Sequence, residues 1–175
     1  AVGLMTAILE RTAPHEPMVI LWSDHMVRKE AVFRKILQAA GEIIKSDPER
    51  IIFVAQKPRF ASENLGWISY AKEVRRVEDI SFHAFVDFQY RPNKETAQKY
   101  LTSGHHAWNL GYFVTTPRFL LAQYQHFAPN LYSGLRRIAD VWQTSKYEEV
   151  LKSVYPTLEK ISFDNAILEK LDPSQ

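Results

Sequence analysis

The sequence predicts an α/β fold, a mixed sheet flanked by helices, on three observations. "VILWSDHMV", residues 19–27, runs four apolar residues into Ser23-Asp24-His25. "RIIFVAQ", residues 50–56, is a second apolar run too short for a helix. Between them Val32, Phe33, Ile36, Leu37, Ala40, Ile43 and Ile44 recur at helical spacing, which gives one apolar face. Strand, helix and strand in that order make a βαβ unit, whose crossover is right-handed in nearly every known case.

The elements follow in order. Residues 4–11 are helix-like and end before Pro14 and Pro17. Residues 18–22 are expected as a buried strand, and the helix over 29–45 closes at Asp47-Pro48, because proline disfavours helical geometry in the residue before it. "KPRFASENLG" is a polar loop, and "WISYAKEVRRV" alternates as a strand or hairpin exposed on one face. Residues 80–90 form a longer, aromatic-rich strand. Asn93 caps a helix through "ETAQKYLTSG", with Gly104 as its stop. "YFVTT" is a short strand, with His105 and His106 before it as loop residues, and Pro117 opens a helix to about Phe127. From Asn130 the chain is mostly helical. No repeat, low-complexity tract or linker interrupts it, so residues 1–175 are expected as one unit.

Composition bounds the chemistry. The chain has 175 residues, of which 46% are hydrophobic and 13% aromatic, enough for a real core. With 22 basic and 20 acidic side chains the net charge is +2, which gives no electrostatic case for nucleic acid or an anionic membrane as partner. There is no cysteine, so disulfides and thiolate metal sites are excluded. No apolar run approaches the roughly 20 residues that span a bilayer. The N-terminal "AVGLMTAILERTAPHEP" has no basic segment ahead of its apolar start and does not read as a signal peptide. It begins in a helix with no capping residue, as a chain would that starts inside a fold.

Four separated segments, "LWSDHMV", "ENLGWISY", "YRPNKETAQKYLTSGHHAWNLGYFV" and "SFDNAILEK", occur in the order and rough spacing of a known family. In them the chain resembles the sugar-1-phosphate nucleotidyltransferases, most of all the mannose-1-phosphate guanylyltransferase subgroup, from about Thr6 to Glu169. The resemblance implies a Rossmann-like nucleotidyltransferase fold, here incomplete. Members begin with a strand and a Gly-Gly-x-Gly-Thr-Arg loop whose backbone N–H groups hold the nucleotide phosphates. No such loop occurs among the six glycines of this chain, which is therefore expected to be a fragment, a truncated paralogue or one part of a split protein. The implied reaction is attack of a sugar-1-phosphate oxygen on the α-phosphate of GTP, with release of pyrophosphate. The implied cofactor is Mg²⁺, the partners sugar-1-phosphate and GTP, and the compartment the cytoplasm. Self-association, or a partner supplying the absent segment, is expected to cover an open sheet edge.

Asp24 falls on the family's metal-binding Asp, and Asp164 on its partner. Each has a plainer role open to it, Asp24 as a strand-end turn residue or helix cap and Asp164 as a helix cap. Arg91 stands where the family has a Lys that contacts the sugar phosphate; Arg can grip it bidentately but is not a neutral replacement, and it could equally be a solvated strand-end side chain. Tyr90 stands where a sugar-binding Glu is usual, so sugar choice is in question. Asn109 matches an Asn lining the sugar pocket, with Trp108 beside it as core. Gly66 matches a glycine that lets the sugar approach the backbone, while Asn64 stands where another glycine is usual. His25 is read as a structural hydrogen-bonding residue. A non-catalytic regulatory or binding subunit is the alternative reading of the whole.

Overall fold

A computed structural model describes residues 1–173. In chain order its elements are α1 (Val2–Glu10), β1 (Met18–Ile20), α2 (Glu30–Ser46), β2 (Ile52–Gln56), β3 (Gly66–Val77), β4 (Ile80–Tyr90), α3 (Lys94–Ser103), β5 (His106–Thr115), α4 (Pro117–Phe127), α5 (Pro129–Ala139), α6 (Tyr147–Val154) and α7 (Phe163–Ala166). Local chemistry sets several boundaries. Asn93 Oδ1 accepts the Thr96 N–H at 2.9 Å to cap α3, and Gly104 ends it at φ +74°. Thr116 Oγ1 accepts the Phe119 N–H to cap α4, and Pro117 sits where its missing N–H costs nothing.

β5 is the middle of the sheet. Val114 pairs with Ile52 and with Val19, and Trp108 pairs with Gln56 and with Trp67. β2 therefore lies along one edge of β5, while β1 and the start of β3 share the other. Every ladder is antiparallel, so β1 and β2 run parallel to each other with β5 inserted between them. The βαβ unit read from the sequence is present in that form. β3 and β4 extend beyond β5 as a ribbon whose register shifts at bulges between Ser69 and Arg75.

Helices cover both faces. On one, Leu37, Ala40 and Ile44 of α2 pack on Ile52, Phe82 and Val114. On the other, Phe53, Ile68, Phe88 and Phe113 meet Ala7, Leu120, Tyr124, Leu135 and Ile167 in the main core. Each large apolar side chain removed from water there contributes about 1.5–3 kcal/mol. Glu10 ties the helices of this face together, accepting from Arg118 and Arg136 at 2.8 Å each with its side chain 11% exposed.

Two local expectations need correction. The run over 18–22 is not one buried strand: β1 ends at Ile20, with Met18 and Ile20 half-buried against the main core and Val19 39% exposed, while Leu21 at 51% and Trp22 at 44% exposure lie beyond it, and among the described residues β1 is paired along one edge only. His106 is not in a loop. It opens β5 because Ser69 of β3 pairs with it, a partner too distant in sequence to extend the "YFVTT" pattern.

Candidate functional site

Three of the residues singled out in the sequence fall in one cross-strand row. Gly66, the first residue of β3, pairs with Tyr90, the last of β4. The neighbouring Trp67–Trp108 pair brings Asn109 of β5 alongside, and a Cβ built on Gly66 would stand 3.4 Å from the Cβ of Asn109. Arg91 follows Tyr90 and leaves the sheet at φ +48°, a left-handed conformation uncommon outside glycine. Its N–H donates to the Leu65 carbonyl, and its guanidinium carbon lies 5.0 Å from the centroid of the Tyr90 ring, within cation–π range.

Asp164 approaches the same strand end from α7. It is not the cap of that helix: Ser162 is, accepting the Asn165 N–H at 3.1 Å, and Asp164 occupies the first turn. Partial burial pushes its carboxyl above the ordinary aspartate range and the nearby Glu169 adds to this, while Arg91 opposes it. Glu169 was not among the residues singled out. One of its oxygens accepts the Tyr90 N–H at 3.3 Å and the other accepts Asn165 Nδ2 at 2.8 Å. Its sequence signals are its place inside the segment "SFDNAILEK" and the spacing of four from Asn165.

Asp24 lies in the exposed turn beyond β1. His25 beside it sets Nδ1 2.7 Å from the Tyr112 hydroxyl, the structural hydrogen bond read from the sequence. Burial raises the Tyr112 phenol and the Asp24 charge raises it further. The segments that carry Asp24 and Asp164 meet at a cavity of about 470 Å³ lined by both Trp22 and Phe163. Yet the charges that act on Asp164 are those of Glu169 and Arg91, whereas the charge of Asp24 falls on Tyr112.

Among the described residues no group of three or more His, Cys, Asp or Glu is placed to hold a metal ion. Magnesium is commonly held by one or two carboxylates, with waters and substrate phosphates completing its shell. Asp24 and Asp164 are donors of that kind, hard oxygens contributed singly. His105 and His106 form no metal pair: His106 stacks on Tyr100 with centroids 4.0 Å apart and meets Ser103 Oγ through Nδ1 at 2.6 Å.

Gly66 and Asn109 also have local duties. The ring of Phe88 stands 2.8 Å from where a Cβ of Gly66 would sit, so the side expected to receive a sugar is taken by an aromatic ring. Asn109 is 7% exposed, and its Oδ1 accepts the Gly111 N–H at 3.0 Å at the point where the β2–β5 register shifts. Trp108 is core, as read from the sequence, at 2% exposure.

The family resemblance read from the motifs is borne out by comparison with known proteins. The chain is 27% identical to mannose-1-phosphate guanylyltransferase 2 of Escherichia coli O157:H7, over 94% of this chain and 35% of that protein. It is 24% identical to mannose-1-phosphate guanylyltransferase ManC of Salmonella typhimurium, over 94% and 31%, and 25% identical to the xanthan biosynthesis protein XanB of Xanthomonas campestris, over 87% and 31%. The chain thus spans about a third of the length of these relatives. The fold is shared with two crystal structures. Mannose-1-phosphate geranyltransferase from Thermus thermophilus matches with a TM-score of 0.77 at 22% identity, over 97% of this chain and 46% of that one. Mannose-6-phosphate isomerase from Helicobacter pylori matches with 0.78 at 14% identity, over 99% and 66%. No family model matches. No helix among the described residues is long and apolar enough to cross a membrane.

Proposed function

We propose that this chain carries the sugar-1-phosphate side of a mannose-1-phosphate guanylyltransferase site, and that by itself it turns over little or no substrate. The reaction joins a sugar-1-phosphate oxygen to the α-phosphorus of GTP and breaks the bond to the β-phosphate oxygen, so that pyrophosphate leaves. What supports the reading is the row of Gly66, Tyr90 and Asn109, with Arg91 turning out of the sheet at its end and Glu169 tying the segment that bears Asp164 to Tyr90. Arg91 is the group with the charge and fork geometry to grip a phosphate. Asp24 and Asp164 are the carboxylates that would hold Mg²⁺, which neutralises phosphate charge when bound. Such transfer is mostly positioning and charge stabilisation. The 175 residues contain no Gly-Gly-x-Gly-Thr-Arg loop to grip the triphosphate. Losing even one well-placed donor costs about a hundredfold to a thousandfold in comparable sites.

The alternative, a non-catalytic binding or regulatory subunit, is favoured by Tyr90 in place of a Glu and by the Phe88 ring on the Gly66 side. The open edge of β1, with Val19 exposed on it and Leu21 and Trp22 exposed just beyond it, fits a partner strand or a second copy. The test is twofold. Calorimetric titration with mannose-1-phosphate should show binding that Arg91→Ala weakens by about 1.5–3 kcal/mol, the range for a hydrogen bond to a charged group. Pyrophosphate release with GTP and Mg²⁺ should be near background for the chain alone. Equal binding by native chain and variant would remove Arg91 from the site, and robust turnover by the chain alone would refute the need for the loop. Turnover only on mixing with a separately expressed loop-bearing segment would mark a split enzyme; silence there would favour the subunit.

A further inference from the structure

We propose that Glu169 is a positioning residue of this site: it latches the end of β4, where Arg91 turns out of the sheet, to the segment bearing Asp164. The inference rests on the sugar-phosphate reading above for its ligand, and on the geometry alone for the latch.

Glu169 divides its two oxygens between two elements. Oε1 receives the backbone N–H of Tyr90, 79 residues away in sequence, and Oε2 receives Asn165 Nδ2. Asn165 is itself held by Ser162, whose hydroxyl donates to Asn165 Oδ1 at 2.7 Å and accepts its N–H at 3.1 Å. A continuous chain of polar contacts therefore runs Tyr90, Glu169, Asn165, Ser162, with Asp164 inside the turn it braces. On the strand side, the consecutive N–H groups of residues 90 and 91 are gripped from two directions, Tyr90 by Glu169 and Arg91 by the Leu65 carbonyl. Arg91 needs such restraint. A left-handed residue with a side chain is strained and persists only where its surroundings over-determine it.

The consequence is functional as well as architectural. Arg91 has a long side chain with many rotamers, and it grips a phosphate well only if its backbone is fixed beforehand, since ordering at the moment of binding subtracts from affinity. Glu169 is exposed and adds no apolar burial. Its loss should therefore act on the strand end it holds and little on the core.

The test uses the full 175-residue chain, its Glu169→Ala and Glu169→Gln variants, mannose-1-phosphate as the probe, amide hydrogen exchange at Tyr90 by NMR, and the melting midpoint. Glu169→Ala should weaken mannose-1-phosphate binding about tenfold and speed Tyr90 exchange at least tenfold, with the midpoint near that of the native chain. Glu169→Gln keeps a side-chain carbonyl for the Tyr90 N–H and should restore both, affinity to within about threefold. Native affinity and native Tyr90 exchange in Glu169→Ala would overturn the proposal, as would Glu169→Gln that fails to restore Tyr90 protection. Should the Ala variant not fold, the Gln variant decides: protected Tyr90 with native-like affinity supports the latch, and protected Tyr90 with affinity lost more than tenfold overturns it. Should the native chain bind no mannose-1-phosphate, the sugar-phosphate reading fails and Tyr90 exchange alone judges the latch.

Discussion

The indole of Trp22 occupies the space that a β-carbon on Gly111 would need, its Cδ1 standing 2.8 Å from that point. Gly111 also has φ +74°, so two independent restraints call for glycine at one position of β5. Gly111→Ala should cost at least about 2 kcal/mol of unfolding free energy, of which about 1–2 is backbone strain. Adding Trp22→Ala removes the collision but not the strain, so the double variant should be less destabilised than the sum of the single ones. Urea unfolding of the four chains reads this directly. A Gly111→Ala variant within about 0.5 kcal/mol of the native chain, the usual range for harmless surface changes, would contradict the close approach.

Arg91→Gly separates binding from folding. Glycine adopts φ +48° without penalty, so stability should hold or rise by up to about 1 kcal/mol despite the lost side chain. Mannose-1-phosphate binding should fall as far as in Arg91→Ala, because the same guanidinium is gone. A glycine variant that binds like the native chain would show that Arg91 is a solvated strand-end residue.

Asp164 predicts a gain of stability on mutation. Burial and Glu169 raise its folded-state affinity for a proton above that of the unfolded chain. The native state then binds more protons in that window, and stability falls as pH rises through it. At neutral pH the carboxylate is a net cost, as site residues often are. Asp164→Asn should therefore unfold at higher urea than the native chain at pH 7 without metal, and the difference should shrink on acidification into the ordinary aspartate range. A gain that grows on acidification would have the wrong sign and defeat the argument.

Glu10 predicts the opposite slope. Burial raises its carboxyl, but hydrogen bonds from Arg118 and Arg136 outweigh this and leave it below the ordinary glutamate range. Its contribution is present above the unfolded-state value and is lost as pH falls through the folded-state one. Glu10→Gln should cost about 1.5–3 kcal/mol at pH 7, the range for a hydrogen bond to a charged group, and less at strongly acidic pH. Equal losses at both pH values would assign the effect to packing.

Much of this protein was legible in its sequence because short-range physics wrote it there. Helical spacing over 32–44, the Asn93 cap, the Gly104 stop and Pro117 each act within a few residues, and each element they mark is present. The motif segments named Arg91, Tyr90, Gly66, Asn109, Asp24 and Asp164 by resemblance, and β-pairing gathers Gly66, Tyr90 and Asn109 into one row. Tertiary structure alone decided the rest. Among the described residues β1 is only half-buried and stops at Ile20, with nothing paired beyond it, and His106 joins β5 because Ser69 reaches it. The neighbours that define the site come from far along the chain: Trp22 for Gly111, Phe88 for Gly66, Glu169 for Tyr90. Periodicity and capping carry no information about such pairs. Their contacts exist only once burial of the core has brought distant segments together.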